Sequence, residues 1–110
     1  MEIILCAAIW YKDLKPFVNR IDSDLYLPIN IDKGLVFAGH RHSNCILFKS
    51  VMTGKRDAEC DEHIQGFLTN KNRFVDRKEA YSIAYKARQI VGPNSKFANN
   101  NIGLTSEDLY

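Results

Sequence analysis

The chain has 110 residues, 45% of them hydrophobic and 25% charged, with a formal net charge of +2. That length fits one domain, residues 1–110, able to bury roughly 65% of its unfolded surface, and so small a charge excludes a strongly basic binder of nucleic acid polymers. The apolar run "IILCAAIW" is too short to span a membrane, and it follows Glu2 rather than a basic segment, which argues against a signal peptide.

The first element, "EIILCAAIWY", is rich in β-branched and aromatic residues and predicts a buried strand from Ile3 to Tyr11. From Lys12 to Lys33 two prolines and several Asp and Asn predict an ordered loop carrying a short strand or two. "GLVFAG" predicts a second strand, closed by Gly39 and paired antiparallel with the first. "HSNCILFKSVMTG" predicts helix one, with Ser43 as N-cap and Gly54 at its stop. "GFL" and "RFV" flank "TNKN", whose Asn70 and Asn72 suit the left-handed backbone of a tight hairpin.

Asp76 and Glu79, spaced as in a capping box, start helix two. Its apolar stripe is Ala80, Ile83, Ala84, Ala87 and Val91, predicting a helix over 77–90 that ends before Gly92 and Pro93. "NSKFANNNIG" reads as a linker, and "LTSEDLY" as a short final element docking through Leu104, Leu109 and Tyr110. The fold class is α+β: a small antiparallel sheet, made of the N-terminal strands and a hairpin, packed with two main helices.

Three cysteines, Cys6, Cys45 and Cys60, make an odd set that reads as reduced thiols with no disulfide. His40, His42, Cys45, Cys60 and His63 contain no standard zinc spacing, so no metal site is expected. Cys45 as a nucleophile needs a lowered thiol pKa and a placed base, and packing on helix one is the simpler role. No Gly-rich phosphate loop is present, and no other cofactor motif.

What stands out is cation density. Lys71, Arg73, Arg77, Lys78, Lys86 and Arg88 face only Asp76 and Glu79 within the same stretch, leaving a local excess of four. Arginine forks suit phosphates because they donate two parallel charge-assisted bonds, and Arg41 stands at the start of helix one, where the backbone itself favours anions. Arg73 and Arg77 are therefore the expected phosphate ligands and Lys78 and Lys86 a solvated helix face. Phe74, Phe67 or Trp10 could stack on a base, or belong to the core.

"GHRHSNC", "QGFLTNKNRFVDRKEAYSIAYKARQI" and "LTSEDLY" together resemble a pattern of small phage proteins, the first family of Thoeris anti-defence proteins. The resemblance spans about two thirds of the chain. It implies a non-enzymatic sponge in the cytoplasm of the infected bacterial host, holding a cyclic ADP-ribose isomer intact in pockets between protomers of a dimer or hexamer. It also implies cyclic di- or trinucleotide binding at separate sites. The positions it points to are Arg41, His42, Asn72, Arg73, Phe74, Arg77, Arg88 and Gln89, although Arg88 stands where the pattern has a small residue. The competing class is a small phosphodiesterase using His40 and His42 as acid and base. Self-association is expected on separate grounds, because helix two and Tyr81 and Tyr85 offer more apolar surface than so small a sheet covers.

Overall fold

The computed structural model describes residues 1–15, 26–54, 62–91 and 103–109. Strand β1, Ile4–Tyr11, is central: it pairs antiparallel with β2, Leu35–Gly39, on one side and with β3, His63–Thr69, on the other. β3 turns into β4, Phe74–Asp76, completing a four-stranded antiparallel sheet of order β2-β1-β3-β4. Helix α1, His42–Thr53, joins β2 to β3 across the central strand, and α2, Arg77–Lys86, follows β4 without a loop. A 3-10 turn at Ser106–Asp108 ends the described chain.

The alternation of β1 puts apolar side chains on both faces, which is why its sequence is almost continuously hydrophobic. Ile4, Ala7, Ile9 and Tyr11 join Phe37, Phe67 and Val75 beneath Cys45 of α1, Ala80 and Ala84 of α2, and Leu104. On the opposite face Ala8 and Phe74 are covered by Leu27 and Ile31, with Trp10, Val36, Ala38, Ile64 and Leu68 packed around them. Each fully buried large side chain, Phe67 for example, contributes about 2–3 kcal/mol through burial alone.

The loop after β1 is therefore a cover for the second face of the sheet. It contains no strand among its described residues; it pairs with β4 through one amide side chain. Asn30 accepts a hydrogen bond from the Phe74 N–H at 2.8 Å and donates to the Phe74 carbonyl at 2.6 Å. The Ile29 N–H adds a bond to the Asn72 carbonyl. The outer edge of β4 is thereby closed without another strand.

Both helices differ from expectation at one end. The N-cap of α1 is Arg41, in extended backbone, and Asn44 Oδ1 accepts the Arg41 N–H at 3.0 Å, so the helix begins two residues before Ser43 would start it. Its stop is Gly54 as expected, at φ +71. α2 starts at Asp76, which accepts the Glu79 N–H at 2.8 Å, but ends at Lys86 rather than Ile90. Arg88 takes a left-handed φ of 58, and the Arg88 and Gln89 N–H groups bond back to the carbonyls of Tyr85 and Ala84. This is a Schellman ending built on arginine instead of glycine, so Val91 leaves the apolar stripe and is exposed. Most of the expected linker, residues 94–102, and Cys60 and Tyr110 lie outside the described residues.

Candidate functional site

The strand register brings the two helix starts together. Gly66 of β3 pairs with both Ala8 and Asp76, while Ala8 pairs with Ala38 of β2. α2 begins directly after Asp76, and α1 begins three residues after Gly39, on the same face of the sheet. The positive dipole ends of α1 and α2 therefore lie at the same level of the sheet, on its helical face.

Three of the residues singled out from sequence meet there. His42, buried at the first turn of α1, donates from Nε2 to the Gly66 carbonyl at 2.8 Å and lies edge-on to Phe67. Because a carbonyl can only accept, the proton sits on Nε2; burial chiefly, and the nearby Arg77 charge, hold the ring below its ordinary 6.5. Arg77, half-buried, donates from Nη1 to the Leu104 carbonyl at 2.9 Å and from Nη2 to Gln65 Oε1. Burial opposes its charge, and Glu107 and Asp108 support it. Arg41 Nη1 lies 3.8 Å from Glu107 Oε1. Glu107 thus contacts Arg41, and its charge also acts on His42 and Arg77.

The remaining expected residues lie elsewhere. Arg73 donates to both oxygens of Glu2, at 2.9 Å each, and to Glu79 at 3.0 Å. The Arg73 bonds, and after them Thr69, draw the Glu2 carboxyl down to about 2. Asn72, at φ 57, shapes the β3–β4 turn, and Phe74 is buried edge-on to Trp10. Arg88 is exposed at the end of α2. Gln89 folds back onto β1, accepting the Ile4 N–H and donating to the Ile4 carbonyl, at 2.8 Å each. β2 pairs only with Ala7–Tyr11, so this amide fills the place beside Ile4 that β2 leaves open.

Cys45 and His63, weighed for zinc, have other surroundings. Cys45 is fully buried and its thiol is pushed up to about 11, burial being the main cause; Cys6 and Cys45 are free thiols. His63 lies tilted against Tyr11. No three His, Cys, Asp or Glu side chains are gathered for a metal among the described residues.

Sequence reasoning did not find Gln65, Glu107 or Asp108. Gln65 is a polar residue at a helix-facing strand position, a signal that was available. The tail acids lie in "LTSEDLY", whose apolar residues alone were read as making contact. Lys49 of α1 is also buried, with Nζ 5.3 Å from the centre of the Tyr11 ring, and nothing in the spacing of α1 marks it.

A family model described as Phage T4 y16D protein matches residues 3–110. No curated protein and no solved structure matches the chain. No helix among the described residues is long and apolar enough to cross a membrane.

Proposed function

The chain belongs to the phage T4 y16D protein family, and from that premise we propose that it binds and sequesters a small anionic nucleotide without cleaving it. The ligand class is a cyclic ADP-ribose isomer, an immune signal of the host, and the place of action is the host cytoplasm. The observation that carries this reading is that Arg41 at the start of α1 and Arg77 at the start of α2 reach the same C-terminal segment, Arg41 lying 3.8 Å from the Glu107 carboxylate and Arg77 donating to the Leu104 carbonyl. A group of donors and dipoles that already holds an anion of the chain has the chemistry for the diphosphate of such a ligand. The resemblance of "GHRHSNC" and "QGFLTNKNRFV" to phage anti-defence sponges points to the same class.

Binding is favoured over hydrolysis by the state of His42. Its Nε2 proton is committed to a backbone carbonyl and burial keeps the ring neutral, whereas His40 is exposed. These different surroundings count against the pair acting as a matched acid and base.

A self-associating sponge with shared pockets needs an apolar surface to assemble through. The apolar side chains left exposed concentrate on α1 rather than on α2: Leu47, Phe48, Val51 and Met52 are all exposed on its outer surface. On α2, Ala80 and Ala84 are buried under the sheet and Tyr81 stacks on Tyr85.

Calorimetric titration with cyclic ADP-ribose isomers tests the site. Arg77→Ala and Arg41→Ala are expected to weaken binding at least tenfold, about 1.4 kcal/mol. Lys78→Ala and Lys86→Ala, on the solvated face, should change it by less than about threefold. Equal losses in all four variants would mean a diffuse electrostatic surface and no defined site.

A further inference from the structure

We propose that the C-terminal turn Ser106–Asp108 is an internal strap over this site, with Glu107 holding the place of a ligand phosphate until an anion displaces it. The inference rests on the reading of Arg41 and Arg77 as the anion site.

The strap is anchored on both sides of Glu107, and the Glu107 side chain itself is weakly held. Leu104 is fully buried in the core, and its N–H donates to the Arg77 carbonyl at 2.9 Å while its carbonyl accepts from the Arg77 side chain. Beyond that anchor, the Glu107 side chain is 61% exposed and its contact with Arg41 is long, at 3.8 Å. Solvent therefore reaches the Glu107 carboxylate, while the Arg41 Nη1 atom it faces is buried beneath it.

Asp108 adds a second sign of a poised contact. It is fully buried and its Oδ2 accepts from both the N–H and the hydroxyl of Thr105, but its Oδ1 has no hydrogen-bond donor among the described residues. A buried carboxylate oxygen without a donor disfavours the docked arrangement. What holds it down is the Val91 N–H, which donates to the Asp108 carbonyl at 2.7 Å, and the packing of Leu109 on the core.

Gly103 makes the close approach feasible. Its φ is +80, and a side chain there would place Cβ 2.6 Å from the backbone carbonyl group of Arg77. Any larger residue pushes the strap away from the start of α2 without altering an arginine.

The test is pyrophosphate titration of the full chain by calorimetry, with hydrogen exchange of the Thr105–Leu109 amides followed in the same samples. Glu107→Gln is expected to bind pyrophosphate at least fivefold tighter than the parent. Gly103→Ala, if folded, should do likewise. In the parent protein, saturating pyrophosphate should speed exchange of the strap amides. Unchanged or weaker binding by Glu107→Gln, or slower strap exchange on binding, overturns the strap while leaving the anion site standing. Pyrophosphate binding that Arg77→Ala does not weaken, or none by any variant, removes the site itself and the strap with it.

Discussion

Arg41 and Arg77 each stand at the start of a helix and each reach the same C-terminal segment, Arg41 toward Glu107 at 3.8 Å and Arg77 to the Leu104 carbonyl at 2.9 Å. Residues 36 apart in sequence thus share one corner because β2 and β4 lead into α1 and α2 on the same side of the sheet. The consequences can be checked away from ligand binding as well as through it.

Gln89 should matter to stability rather than to recognition. Its amide closes two backbone groups of Ile4 that β2 does not reach. Gln89→Ala is expected to cost about 1–2 kcal/mol, since it leaves a part-buried donor and acceptor open, which lowers Tm by roughly 4–8 °C per kcal/mol in a domain of this size. Gln89→Glu, which loses the donor and sets a carboxylate against the Ile4 carbonyl, should be no better. Thermal denaturation at neutral pH gives the answer, and parent-like melting of both variants would contradict it.

Arg73 should reveal itself in acid. The Glu2 carboxyl is held near 2 in the folded chain against an ordinary 4.5, first by the Arg73 hydrogen bonds and then by Thr69. Its folded value is depressed, so its contribution is fully present above about 4.5 and is lost as pH falls from 4.5 toward 2. The difference in Tm between the parent and Glu2→Gln should be largest at neutral pH and shrink over that window. A difference independent of pH would remove the ion pair from the account.

His42 should act one pH range higher. Burial disfavours its charged form in the folded chain, so the unfolded chain binds the extra proton and stability declines as pH drops below about 6.5. His42→Gln, able to keep an N–H donor toward Gly66, should flatten the dependence of Tm between pH 7 and 5 relative to the parent. Direct NMR titration of the ring checks the sign: a midpoint above 6.5 would contradict burial as the controlling cause.

Much of the fold was legible in the sequence for local reasons. Turn chemistry at Asn72, the cap at Asp76 and the stop at Gly54 are local signals, and each appears where it was expected. The end of α2 was not legible, because the left-handed residue is Arg88, whose side chain gives no hint of that backbone, and its stabiliser, Gln89, bonds to a strand 85 positions away. The site divides in the same way. Arg77 and Arg41 could be placed at helix starts from pattern alone. That Arg73 belongs to Glu2 could not, since the pairing depends on β1 lying beside β3. The apolar face of α1 was likewise hidden, because Leu47, Val51 and Met52 have the composition of a core stripe.

That face predicts assembly. Leu47, Phe48, Val51 and Met52 on one twelve-residue helix are the kind of apolar patch that a second copy covers in homo-oligomers. Light scattering at micromolar concentration should report a dimer or hexamer, and Leu47→Glu with Val51→Glu should return the mass to 12.6 kDa without loss of helical circular dichroism. A monomeric parent would count against shared pockets.

The most direct measurement is the fate of the ligand itself. Purified protein is incubated with a cyclic ADP-ribose isomer, freed of unbound nucleotide, heated to denature it, and the released material is analysed by chromatography. The cyclic nucleotide is expected to return intact in stoichiometric amount from the parent and to be missing from Arg77→Ala. A linear product would make the protein a hydrolase, and an absence of bound nucleotide in the parent would contradict sequestration at this site.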